Sequence, residues 1–116
     1  MEKLIVVKLQ SESIEFSDGT ILTSNHDSDC CENHYLSMED LSLSDFNGLE
    51  FDLSNDKFFN RIDGYGIELV PLSGFSVKIP GYGYNNGFYS SNLDLVVKRK
   101  NKVTTYDISE CQDITD

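Results

Sequence analysis

His26-Asp27-Ser28-Asp29-Cys30-Cys31-Glu32-Asn33-His34 is the most chemically loaded stretch of the chain. Four side chains able to hold a soft metal, His26, Cys30, Cys31 and His34, fall within these nine residues. Thiolate and imidazole suit a tetrahedral zinc ion, with His26, Cys30 and Cys31 as the candidate ligands. Against zinc, adjacent side chains diverge from an extended backbone, and the usual spacing of paired cysteines is two to four residues. Asp27, Asp29 and Glu32 could ligate calcium, but the segment lacks the central glycine and register of a calcium loop. A cysteine nucleophile with His26 or His34 as base and Glu32 orienting it has the right residue types. The acidic neighbours oppose that chemistry, because like charge raises a thiol's pKa. The reading these residues favour is a packing role. One cysteine turns inward as a small apolar side chain while the rest of the loop is solvated, and no cofactor is bound.

A second segment, Gly81-Tyr82-Gly83-Tyr84-Asn85-Asn86-Gly87-Phe88-Tyr89-Ser90-Ser91-Asn92, mixes glycines with aromatics. Tyrosine gives contact area at low entropic cost, so Tyr82 and Tyr84 are candidate partner-binding residues. The same rings could stack on a base or sugar. No Lys-Ser/Thr follows, which excludes a phosphate-cradling loop. A wide hairpin turn whose rings cover the sheet end is the plainer reading.

The charge of the chain is located rather than spread. Nine basic residues face 20 acidic ones, a net charge of −11. From Leu9 to Asp56 there are twelve acids and no Lys or Arg. Residues 57–116 hold seven of each and are neutral. This balance disfavours direct nucleic-acid binding, which needs clustered cations, and binding to an anionic membrane surface. It suits a protein partner with a basic surface. Asp40, Asp45, Glu50 and Asp52 are the candidate contact residues. A solubility role for the same charges carries equal weight.

These residues must be positioned by β structure. There is no Ala and no Trp, while Phe and Tyr total thirteen and turn formers abound. No apolar run approaches the ~20 residues of a membrane-spanning helix. Three cysteines, two adjacent, fit reduced thiols, and Met1–Val7 is too short for a signal-peptide core. An intracellular location is expected. Strands are expected over 3–9, 13–16, 20–23, 34–37, 49–53, 66–72, 75–79, 88–98 and 103–108, with a loop at 54–60. Phe75, Val77 and Ile79 alternate with Ser76 and Lys78, which puts all three on a buried face. Residues 38–47 suit a short helix or turns, and Pro80–Gly87 reads as a turn cluster. Lys98-Arg99-Lys100 and Lys102 read as a solvated hairpin tip. The expected fold is mainly β, a small antiparallel β-sandwich or partly open barrel. Residues 1–108 form one domain and 109–116 a frayed tail.

The two motif segments together resemble a small uncharacterised domain family of bacteriophages and prophages. Its pattern is His-x-x-Asp-Cys-Cys-Glu followed by Tyr, then Gly-x-x-x-Asn-Gly-x-Tyr-Ser. The matching residues are His26, Asp29, Cys30, Cys31, Glu32 and Tyr35, and, within Gly81 to Ser90, Asn86, Gly87, Tyr89 and Ser90, with Gly81 one position further from Asn86 than the pattern has it. The likeness covers about residues 4–97. His34 departs from it, standing where the pattern has an aliphatic residue. The resemblance implies a phage setting and no established catalytic role. The expected function is therefore inhibition by binding, of the kind an anti-CRISPR protein exerts on a host nuclease, with the acidic face imitating phosphate charge. The alternative is a ligand- or metal-binding module. It would be either a zinc site or a nucleotide sponge drawing phosphate contacts from Lys57, Arg61 or Lys78. A cysteine or zinc enzyme is the least favoured class.

Overall fold

A computed structural model of the chain describes residues 2–25, 33–84 and 92–115. The protein is mainly β, built as two sheets around one core. Its strands are β1 (Val6–Leu9), β2 (Ser13–Phe16), β3 (Ile21–Asn25), β4 (Asn33–Leu36), β5 (Phe59–Ile62), β6 (Gly66–Leu69), β7 (Val77–Tyr84), β8 (Asp94–Arg99), β9 (Lys102–Asp107) and β10 (Asp113–Thr115). The front sheet runs β1-β2-β3-β8-β9 and is antiparallel throughout. In the back sheet β7 is the common strand, pairing antiparallel with β6 and β4 and parallel with β10, and β5 lies outside β6. The described strands close no barrel. The helical content among them is two single 3-10 turns, Leu43–Phe46 and Asp56–Phe58.

Alternation along the strands sets the core. Ile14, Phe16, Leu22, Leu95 and Val97 of the front sheet meet Leu36, Phe59, Ile67, Leu69 and Ile79 of the back sheet in one buried cluster. The turn Ser17-Asp18-Gly19 joins β2 to β3 with Gly19 at φ +88°, where a side chain would be strained. Asp18 also accepts a hydrogen bond from the Thr20 amide there, at 2.9 Å.

Several expected boundaries move, each for a physical reason. The N-terminal strand, expected over 3–9, begins at Val6 and lies at the edge of the front sheet. It is bulged between Val6 and Lys8, and Val7 is exposed. The 49–53 segment keeps its burial alternation, with Phe51 and Leu53 inside, but its pairing shrinks to one bridge between Leu4 and Phe51. The loop expected at 54–60 instead holds a 3-10 turn and the start of β5. The strand expected over 66–72 stops at Leu69, two residues before Pro71. Phe75 is 91% exposed, because β7 starts only at Val77.

Part of the expected turn cluster is strand. β7 continues through Pro80-Gly81-Tyr82-Gly83-Tyr84, and its glycines point inward with a period of two. A Cβ on Gly81 would stand 2.4 Å from the Cys111 carbonyl oxygen, so only glycine admits the chain that crosses there. Pro80 sits just past the end of β4, where its carbonyl accepts from the Ser37 amide at 2.9 Å. The tail is corrected too. Residues 109–115 do not fray: Cys111 and Gln112 are buried, and β10 extends the back sheet. The Gly64 amide donates to the Glu110 carbonyl at 2.9 Å, fixing the tail to the β5–β6 turn.

Candidate functional site

The segment from Ser37 to Asp56 leaves the back sheet after β4 and crosses the open edge of β1 before re-entering at β5. It is short of regular structure, so its course is fixed by anchors. Met38, Phe46, Phe51 and Leu53 are buried. Phe51 packs edge-on against Phe16 at 5.8 Å and Phe46 at 6.3 Å between ring centroids. Backbone bonds tie it at Met38 N–H to Ser11 O (2.8 Å), Leu4 N–H to Phe51 O (2.8 Å) and Leu72 N–H to Glu50 O (2.8 Å). The result is a strap over the seam between the two sheets.

The strap carries Glu39, Asp40, Asp45, Glu50, Asp52 and Asp56, and no Lys or Arg lies within it. Five of the six are exposed and Asp52 is half-buried. Among the described residues none of the six ion-pairs with a Lys or Arg. Two of them are spent on the strap's own backbone. Asp45 accepts from the Ser42 amide at 2.8 Å across the first 3-10 turn. Asp52 accepts from the Ser54 hydroxyl at 2.6 Å and its amide at 3.0 Å. Those bonds, the hydroxyl first, hold the Asp52 carboxyl below its ordinary value. Glu39, Asp40, Glu50 and Asp56 are left to face solvent.

Two acids of the N-terminal half outside the strap, Glu2 and Asp18, are ion-paired. Arg99 donates to Glu2 through both terminal nitrogens, one of them at 2.9 Å, and to Asp18 at 3.2 Å. Glu2 also accepts from the Leu53 amide at 3.2 Å, which links the strap to this ion triad. Arg99 is thus a structural cation, half-buried, and not part of a solvated tip. The strap thus gathers six of the twelve acids between Leu9 and Asp56 on one segment where no described Lys or Arg pairs with them.

The other sequence candidates are placed as follows. His26, Cys30 and Cys31 lie outside the described residues, as do Asp29 and Glu32. His34 is buried and turned inward, with Nδ1 2.7 Å from Gln112 Oε1, so it belongs to the interior of the back sheet. Gly83 makes room for that pair. Tyr82 is 40% exposed on the outer face of the back sheet, where its ring packs on Tyr35 at 5.9 Å rather than on a strap acid. Tyr84 ends β7, and its side chain lies outside the described residues. Among the described residues no cluster of three or more His, Cys, Asp or Glu could hold a metal.

Of the cations weighed for nucleotide phosphate, Lys78 and Arg61 do not share a face. Lys78 shares a cross-strand row with Glu68 and Asn60 on the outer face, whereas Arg61 is in the row of Ile67 and Ile79 on the inner face. The Arg61 guanidinium lies over the Phe59 ring and its Nε donates to the Asp107 carbonyl at 3.0 Å. Sequence reasoning missed Phe75 as an exposed aromatic and Cys111 as a core residue. Burial, with Glu110 nearby, pushes the Cys111 thiol up to about 11, so it is not a thiolate at neutral pH. No helix among the described residues is long and apolar enough to cross a membrane. No family model, curated protein or solved structure matches the chain.

Proposed function

We propose that the protein acts by binding, with the acidic strap docking on a basic protein surface of the kind that lines a nucleic-acid channel. The observation that carries this reading is the strap itself: six carboxylates on one base-free segment, held over the sheet seam by Phe46, Phe51 and Leu53. Fixed anchors matter because a preorganised row of charge loses less entropy on docking than a floppy acidic tail. Exposed carboxylates also steer encounter with a cationic groove and repel nucleic acid from it. With the phage setting that the motif resemblance implies, the target class is a host defence nuclease, and the inhibition is anti-CRISPR-like.

The test separates charges that face outward from charges that hold the strap. Glu39, Asp40, Glu50 and Asp56 are reversed to Lys together, leaving Asp45 and Asp52 intact; Glu15→Lys with Glu68→Lys is the control. DNA cleavage by RNA-guided host nucleases is measured with each protein at low and high salt. The expected result is inhibition that weakens with salt, survives the control and is lost in the strap variant. Undiminished inhibition by a folded strap variant would overturn the reading.

A further inference from the structure

The two edges of the front sheet are treated differently. The β1 edge is bulged and covered by the strap at Leu4–Phe51. At the other edge stands β9, six residues long, and among the described residues no strand pairs with its outer side. The direction of its backbone groups follows from one bond. The Ile108 amide donates to the Leu93 carbonyl at 2.9 Å, so residue 108 faces β8. In an antiparallel ladder the sides alternate. Lys102, Thr104 and Tyr106 therefore also face β8, while Val103, Thr105 and Asp107 face outward. The outward carbonyl of Asp107 is taken by Arg61 Nε. The outward groups of Val103 and Thr105 remain, and Val103 is 62% exposed.

We propose that β9 pairs with β9 of a second copy of this chain, antiparallel, about a two-fold axis at Thr104. This proposal is independent of the strap. In that register Val103 lies opposite Thr105 of the second copy and Thr105 opposite its Val103. The groups used are the ones left over, and the Arg61 bond stays intact. Two β-branched cross-strand pairs form on the outer face. Charge favours the same arrangement. Lys100 and Lys102 stand at the hairpin end of β9 and Asp107 at the other, all exposed, while Glu110 beside Asp107 is paired with Arg61. Antiparallel pairing brings Asp107 of each copy level with the Lys100–Asn101 turn of the other, whereas parallel pairing would set like charges side by side. An isologous contact of this kind closes on itself, so it yields a dimer and not a fibre.

The experiment is sedimentation equilibrium of the full chain across the micromolar range. Wild-type protein is expected at twice the chain mass. Thr105→Pro removes an outward N–H and no ladder bond to β8, so it should give a folded monomer. Val103→Lys, a second variant at an exposed position, should raise the dimer dissociation constant about tenfold or more, since two symmetry-related pairs are lost at once. Circular dichroism melting checks that each variant is folded. In a Cys30→Ser, Cys31→Ser background, Thr104→Cys should crosslink across the axis faster than Thr105→Cys, because a non-hydrogen-bonded pair places its Cα atoms within disulfide range. A wild-type chain that stays at single mass throughout the range would overturn the proposal. So would a folded Val103→Lys variant that dimerises as tightly as wild type.

Discussion

A methyl group added at Gly83 would stand 2.5 Å from both Gln112 Oε1 and His34 Nδ1. Both neighbours are buried and bonded to each other, so neither gives way cheaply. Gly83→Ala is expected to destabilise the fold by about 1–3 kcal/mol, read from the urea midpoint. Gly83 lacks a positive φ, so the change reports on that contact and not on backbone strain. The same residues mark where the sequence was mute. His34 stands at the end of a metal-like cluster, and its chemistry gave no sign that it lies inside the back sheet. Its partner, Gln112, is 78 positions away, and no local pattern joins the two. Arg99 is a similar case. Its neighbours Lys98 and Lys100 look like a solvated tip, yet its guanidinium reaches Glu2, 97 positions back.

At the scale of elements, the local signals were the readable ones. The β2–β3 hairpin, the turns over 38–47 and the paired strands β8 and β9 follow from alternation, turn chemistry and caps. Elements defined by a distant partner were not readable. Gly81 to Tyr84 alternates glycine and tyrosine as a strand does, but its small inward residues make sense only once the tail packs against them. The tail itself is short and polar, which reads as frayed. Ending the chain after Ile108 should therefore cost much more than its length suggests. It removes buried Cys111 and Gln112 and the β10 rung along β7. The expected outcome is a large drop in the melting temperature by circular dichroism. Phe75→Ser, in the exposed β6–β7 turn, should leave stability within about 0.5 kcal/mol of wild type.

For the whole molecule, the charge imbalance was legible as a run of acids, and the gathering of six of them on the strap required the fold. Stability should follow pH through carboxylates that are held below their ordinary value near 3.8. Asp52 and Asp107 are lowered by the hydroxyls and amides of Ser54 and Ser109. At Asp18, burial pushes upward but is outweighed by the Thr20 hydroxyl and amide and by Arg99. A lowered folded value means these groups stabilise the fold fully above the unfolded value, and that this stability is lost as pH falls through the folded ones. The urea midpoint should thus fall with acidification below about pH 4, and more shallowly in an Asp52→Asn, Asp107→Asn double variant. The front sheet has a further consequence, for synthesis. β3 pairs with β8 across Leu22 and Val97, so the first three strands leave the ribosome long before the strand that completes them is made. Until then β3 presents Ile21–Asn25 as a bare edge, and long-range pairing of this kind is slow. That interval, set by strand order alone, is when a chaperone or a neighbouring nascent chain meets an unfinished sheet.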